Sequence, residues 1–194
     1  MRLTTCAVLL IATSLPALAQ EPPTIEVFAG YSFLRTSGGG GMQGWNASVA
    51  GNLSRTFGLV SDFSGHYGRQ SLRTEFSGPG FPGTISASSD SKSSVYLILF
   101  GPRFSYRKNE RITPFVHALP GAARLSTRAT VSFDGLSTAT SFANISFAAA
   151  LGGGVDLKLN DSFALRLIQA DYLLTRFGNN TQRSARLSVG IVLH

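Results

Sequence analysis

The sequence predicts an all-β fold, an eight-stranded antiparallel up-and-down transmembrane β-barrel, from three observations. Segments of about ten residues alternate large apolar side chains with small or polar ones, and a tilted strand needs about ten residues to cross a bilayer. Full charges recur on the small-residue side of these segments. The connections alternate between long and short. This alternation predicts short periplasmic turns and long extracellular loops.

The clearest segment is a predicted hairpin over residues 95–125. In its first strand Phe100 and Phe104 share one face and Arg103 lies on the other, because successive strand side chains point to opposite faces. A soluble sandwich would bury the apolar face and expose the charge. Large residues opposite small ones and an arginine favour the reverse arrangement, with lipid outside and a narrow polar interior.

The same alternation recurs along the chain and defines eight predicted strands. They are residues 24–34, 44–53, 57–67, 95–106, 112–125, 142–157, 163–176 and 185–194. The stretch 69–93 is rich in Ser, Gly and Pro and predicts a long loop. The polar stretch 126–141 predicts another, in which 130–133 extends a strand above the membrane.

Two predicted strands depart from strict alternation. In the seventh, Arg166 differs in parity from Gln169 and Asp171, so one bulge between them would place all three inside the barrel. In the fifth, His117 and Arg124 differ in parity. This predicts either a second bulge or an Arg124 that points outward at the level of the lipid headgroups.

Residues 1–19 have the features of a signal peptide, which leaves 20–194 as the barrel domain. Arg2 precedes a short apolar stretch, and 17–19 forms a small-x-small cleavage site. The only cysteine, Cys6, lies in this segment, so the exported chain would have no thiol or disulfide chemistry. The net charge of +7 would suit nucleic acid, acidic lipid headgroups or nothing specific, and export argues against nucleic acid as a partner.

Five short motifs stand on the predicted strands. They are Gly30-Tyr31, Gly44-Trp45-Asn46, Gly101-Pro102-Arg103, Pro114-Phe115 and Leu165-Arg166-Leu167. With the signal sequence and the alternating connections, they resemble the small outer-membrane barrels of the OmpA/OmpX type. The resemblance implies an outer-membrane monomer that contacts outer-membrane lipids and is inserted by the barrel-insertion machinery. Such barrels usually end in an aromatic residue, whereas this chain ends in His194.

The first candidate site is the set of charges predicted to face the barrel interior. Its members are Glu26, Asp62, Arg103, Asp156, Arg166 and Arg186, with Asp171 added by the bulge. They would either line an ion path or form a salt-bridged plug. The plug is favoured, because an eight-stranded barrel has room for side chains only and unpaired charges inside it are costly.

The second candidate site is a set of basic residues at the loop ends of the strands. Its members are Arg35, Arg69, Arg73, Lys92, Arg128, Arg176 and Arg183. One interpretation is contact with the phosphates of lipopolysaccharide, which the planar guanidinium group fits well. The other is a solvated rim, because exposed ion pairs are individually weak.

An enzymatic interpretation would rest on a strand histidine. His66 shares a face with Ser64 and Asp62, the combination a lipid-modifying enzyme would need. Neighbours on one face of a strand are about 7 Å apart at the backbone, which opposes direct contact. His66, His117 and His194 are scattered without metal-ligand spacing. We therefore expect no catalytic residue, cofactor or metal.

These observations favour a structural outer-membrane protein of a Gram-negative envelope. Its lumen would be plugged by salt bridges, and its loops would be available for surface contact. The alternative is a soluble, lipocalin-like barrel whose large apolar residues face a ligand cavity. A narrow pore and a lipid-modifying enzyme are further alternatives.

Overall fold

In the computed structural model the chain forms a closed barrel of eight antiparallel strands, in which β1 also pairs with β8. The strands are β1 (Ile25–Thr36), β2 (Gly41–Asn52), β3 (Phe57–Phe76), β4 (Ile85–Ser105), β5 (Ile112–Phe133), β6 (Leu136–Lys158), β7 (Phe163–Phe177) and β8 (Asn180–Leu193). The structure describes residues 25–37, 40–76, 85–109, 111–133, 136–177 and 180–194. The predicted signal peptide, 1–19, lies outside them.

None of the described residues belongs to a helix that is long and apolar enough to cross a membrane.

The barrel is inverted relative to a soluble protein, as predicted. Phe100 and Leu151 point outward and are 54% and 66% exposed, and Phe104 and Ile191 are exposed as well. The Arg186 side chain, by contrast, is completely buried inside. This arrangement opposes the lipocalin-like alternative, which requires large apolar residues around a central ligand cavity.

The parity conflicts in the fifth and seventh strands have different solutions. In β7 the register with β8 shifts between Arg166 and Gln169, and Arg166, Gln169 and Asp171 are all buried, which confirms the predicted bulge. β5 keeps one register with β4 and with β6. His117 therefore points inward and Arg124 outward without a second bulge, and the position of Arg124 at the headgroup level stays a prediction.

The structure corrects the predicted loops. Much of 69–93 is strand, because β3 continues to Phe76 and pairs with β4 from Ile85 onward. Most of 126–141 is also strand, in the β5–β6 hairpin, which includes the predicted extension 130–133. The Gly and Pro residues that suggested a loop are concentrated at 78–83, between β3 and β4. The flanking Ser- and Thr-rich segments satisfy their backbone groups by pairing with each other.

The strands have unequal lengths, which gives the barrel a tall and a short side. Strands β3 to β6 contain 20 to 23 residues, whereas β1, β2, β7 and β8 contain 12 to 15. Pairing of β2 with β3 ends at Tyr67, and pairing of β6 with β7 ends at Phe147. Beyond these residues, β3 to β6 continue as a four-stranded sheet, which we call the tall wall. We call its end of the barrel the upper end.

Candidate functional site

The lower interior contains a cluster of buried ion pairs. Arg103 Nη1 lies 2.8 Å from Glu26 Oε2, and its Nη2 lies 3.4 Å from Asp156 Oδ2. Arg166 donates two hydrogen bonds to the same Asp156 carboxylate, from Nε to Oδ1 at 2.7 Å and from Nη2 to Oδ2 at 3.0 Å. Arg107, from the turn after β4, donates a further hydrogen bond to Glu26. Each carboxylate of this cluster is therefore shared by two arginines.

A second cluster lies further up and is centred on Arg186. Its Nη1 donates to Asp62 Oδ1 at 2.7 Å and to Ser64 Oγ at 3.0 Å. Its Nη2 lies 2.7 Å from Asp171 Oδ2. The other oxygen of Asp171 lies 2.6 Å from His117 Nε2. One fully buried guanidinium thus joins carboxylates from two different strands.

Gln169 connects the two clusters. Its Oε1 accepts a hydrogen bond from Arg166 at 2.8 Å, and its Nε2 donates to Asp171 at 2.9 Å. The result is one charged network to which all eight strands contribute. Its strand members are Glu26, Asn46, Asp62, Arg103, His117, Asp156, Arg166, Gln169, Asp171 and Arg186. Arg107 joins the network through Glu26 from the turn after β4. Gln169 is not recognisable as a link from the sequence, because side-chain partners across the lumen depend on how the barrel closes.

The formal charges in the network balance. The arginines are Arg103, Arg107, Arg166 and Arg186, and the carboxylates are Glu26, Asp62, Asp156 and Asp171. Breaking a buried pair by removing one partner is strongly destabilising, because the other charge is left uncompensated. This balance therefore suits a permanent plug, and the six charges proposed from sequence all take part in it.

Aromatic rings fill the space around the lower arginines. The centre of the Phe115 ring lies close to two guanidinium groups, 4.3 Å from that of Arg103 and 4.5 Å from that of Arg166. Phe28 packs against Arg166 at 4.3 Å. Gly154 on β6 leaves room for this stack, since a Cβ there would lie 2.8 Å from the Phe115 ring. Packing of cations on aromatic faces compensates part of their lost hydration.

Toward the upper end the interior is apolar, which the sequence analysis did not anticipate. Next to Arg186 along β8, Ser188 Oγ lies 2.9 Å from Ser32 Oγ, and Ser32 Oγ lies 2.9 Å from His66 Nε2. An apolar plug then occupies the barrel. Its buried members are Leu34, Met42, Ala50, Val60, Leu97, Leu99, Leu119, Ala123, Ala148, Ala150 and Leu173. Ala50 and Val60 extend it toward the lower end, where Ala50 pairs in register with Glu26. The signal was present in the sequence, because Leu97 and Leu99 share the parity of the inward-facing Arg103.

Two cavities bracket these layers. At the lower end, a cavity of about 300 Å³ opens against the network and is lined by Glu26, Arg103, Asp156 and His194 among others. Near the upper end, a pocket of only about 30 Å³ remains beside Leu34, Leu97 and Leu173. The charged network and the apolar plug lie between the two.

The candidate Ser64–His66 pair is not formed. His66 Nε2 bonds to Ser32 instead, while Ser64 accepts from Arg186. Both side chains are buried in the barrel. The described residues also contain no group of three or more potential metal ligands. The Ser64–His66 arrangement considered from the sequence is therefore not the one in the structure, in which His66 pairs with Ser32 inside the barrel.

The seven basic residues proposed from sequence are all exposed on the outer face near the upper end. They do not form one site. Arg73 pairs with Glu75 at 3.3 Å, and Arg69 lies 3.7 Å from Asp90. Arg69, Lys92 and Arg128 occupy matched positions on β3, β4 and β5 of the tall wall. The other three, Arg35, Arg176 and Arg183, lie on the short strands.

Comparison with known proteins identifies the architecture. No protein-family model and no curated protein matches the sequence. Among solved structures, Ail of Yersinia pestis, in complex with the heparin analogue sucrose octasulfate, superposes with a TM-score of 0.53 at 16% identity. The match covers 89% of this chain and 99% of Ail. The chain has the fold of the small eight-stranded outer-membrane barrels.

Two further structures match with lower scores. Neisserial surface protein A has a TM-score of 0.48 and 14% identity, with coverage of 89% of this chain and 99% of that one. OprG of Pseudomonas aeruginosa has a TM-score of 0.47 and 9% identity, with coverage of 87% and 94%. The superposition on Ail shows the barrel fold alone, and the function is argued from the residues of this chain.

Proposed function

We propose that this protein is a closed outer-membrane β-barrel of a Gram-negative envelope, with a structural role and a surface-exposed tall wall. In this proposal it is neither a pore nor an enzyme. The observation that carries the proposal is the layered interior, in which a charge-balanced network lies below an apolar plug. Around this filled interior the outer face presents apolar side chains, which a surrounding lipid bilayer would shield from water.

The dimensions of the outer face suit a bilayer. Along β4 and the residue after it, exposed tyrosines stand at both ends of an apolar stretch, at Tyr96 and Tyr106. Ten residues at about 3.3 Å each, tilted by about 40°, span about 25 Å. This equals the height of the apolar band in outer-membrane barrels, where aromatic residues mark the two interfaces.

The closed interior supports a structural role. An ion crossing the barrel would have to displace buried pairs such as Arg186 with Asp62, and would then meet Leu97 and Leu173. Desolvated charges are expensive to separate, and the apolar layer offers an ion no ligand. The tall wall, in contrast, extends beyond the ring of eight strands and would be available for contacts outside the cell.

Fractionation with a heat-modifiability gel tests this proposal. The full-length protein is expected in the outer-membrane fraction, with an unboiled band that migrates differently from the boiled one, because closed barrels resist detergent. A protein found in the soluble fraction, with identical migration before and after boiling, would contradict the membrane assignment.

A further inference from the structure

Three cations stand side by side on the outer face of the tall wall. Arg69 on β3 pairs in register with Lys92 on β4, and Lys92 pairs with Arg128 on β5. We call these residues the cation row. Side chains directly opposite on neighbouring strands have Cβ atoms about 5 Å apart, and like charges there are destabilising. The nearby Asp90, 3.7 Å from Arg69, balances only one of the three charges.

Hydroxyl groups and a shallow cavity adjoin the cation row. The strand register places Tyr67, Ser94 and Ser126 in the neighbouring outward row, one step closer to the membrane. A cavity of about 640 Å³ is bounded by both rows and reaches β6 at Ser141. Its surroundings therefore combine three positive charges with several hydroxyl groups that can donate hydrogen bonds.

The position of the cation row places it at the level of lipid headgroups. Tyr67 and Tyr96 meet edge to face with their hydroxyl groups 3.1 Å apart, as expected of tyrosines at a membrane interface. Arg69 follows Tyr67 by two residues, and Lys92 is four residues from Tyr96. With strand tilt, these intervals place the cations about 5–10 Å above the tyrosines. The cations face sideways, away from the barrel axis.

We propose that the cation row and its cavity bind the phosphate groups of lipopolysaccharide in the outer leaflet. This inference rests on the proposed outer-membrane location. Arginine binds phosphate with two parallel hydrogen bonds, and lysine adds a compact point charge between the two arginines. A bound phosphate removes the repulsion among the three cations, and Ser94 and Ser126 supply further hydrogen bonds to its oxygens.

The orientation favours a lipid over a soluble polyanion. A sulfated polysaccharide arriving from outside would reach the highest cations of the tall wall first. On the described part of the tall wall the cation above the row is Arg73, four residues beyond Arg69, and it is already paired with Glu75. The cation row instead faces the surrounding leaflet just above its tyrosine belt.

Matched triple variants of the full-length barrel test the site. One variant is Arg69→Gln/Lys92→Gln/Arg128→Gln. The control, Lys108→Gln/Arg111→Gln/Lys158→Gln, removes the same charge from exposed positions at the lower end of the barrel. Binding is measured in nanodiscs with lipopolysaccharide, with dephosphorylated lipopolysaccharide, and with a soluble sulfated polysaccharide. A heat-modifiable band shows that each variant is a folded barrel.

We expect the row variant to lose lipopolysaccharide affinity by about tenfold or more, and the control by less than about threefold. The wild type should lose a comparable amount when the lipid phosphates are removed. Equal losses in both variants, no loss in the row variant, or a row-dependent affinity only for the sulfated polysaccharide would overturn the inference. Because the gel reports folding independently, these outcomes would leave the barrel assignment intact.

Discussion

The lower and upper parts of the barrel interior are closed by opposite means. Below, Arg186, Asp62 and Asp171 depend on one geometry in which each charge meets its partner. Above, Leu97 and Leu173 fill space without specific pairing. The difference teaches that a closed lumen can combine a directional layer with a volume-filling one. It also predicts that the two layers respond to substitution according to different rules.

The largest effect is expected from Arg186→Met. This change leaves Asp62 and Asp171 buried beside each other without a guanidinium group, which should lower the free energy of unfolding by about 4 kcal/mol. Urea unfolding in phospholipid vesicles, followed through the single tryptophan, Trp45, measures the loss. The triple variant Arg186→Met/Asp62→Asn/Asp171→Asn should recover much of it. A triple variant as unstable as the single one would show that the pairing is not the source.

Leu173→Ala tests the apolar layer. The side chain is 1% exposed, and its truncation should destabilise the barrel by about 3 kcal/mol through lost burial and a cavity. The same unfolding assay measures it. Leu173→Met, which keeps the volume, should cost less than about 1.5 kcal/mol. If the methionine variant were as unstable as the alanine variant, the filled side-chain volume would not explain how Leu173 stabilises the barrel.

Gln169→Leu separates the two charged clusters from each other. It removes the hydrogen bonds to Arg166 and Asp171 and should cost about 2 kcal/mol, because both charged groups remain buried. The exposed Gln182→Leu serves as the control. Equal unfolding midpoints for the two variants would mean that the Gln169 hydrogen bonds do not contribute to the stability of the barrel.

The smallest effect is expected from Asp161→Asn. Asp161 lies 2.7 Å from Lys158 in the turn after β6, but the Asp161 side chain is fully solvated. Exposed ion pairs contribute little to stability, so the unfolding curve should coincide with that of the wild type. A clear loss of stability would contradict the expectation that exposed ion pairs stabilise this barrel much less than buried ones.

Much of the fold was predictable because strand parity decides which face a side chain occupies. Parity separated Phe100 from Arg103, and the conflict between Arg166 and Asp171 located the bulge in β7. Parity alone left the fifth strand open, since Arg124 outside and a second bulge were equally consistent with it. Register with β4 and β6, which the sequence does not state, resolved that choice.

The sequence predicted which charged residues face the lumen but not which of them contact each other. Charge and parity identified Arg186 and Asp62, yet their contact joins β8 to β3 across the barrel and depends on its closure. The predicted loop 69–93 was wrong at its two ends, because 69–76 and 85–93 are strand. The pairing of these Ser-rich ends is a long-range property that the Gly and Pro at 78–83 do not reveal. The cation row was not predictable for the same reason, since strand pairing alone brings Lys92 next to Arg69 and Arg128.

Planar-bilayer recording of the purified full-length barrel tests the closed lumen most directly. With the charged network and the apolar plug both in place, the protein should insert and pass no discrete current, with insertion verified by a heat-modifiable band recovered from the same membranes. Reproducible single-channel steps from the folded wild type would contradict the account.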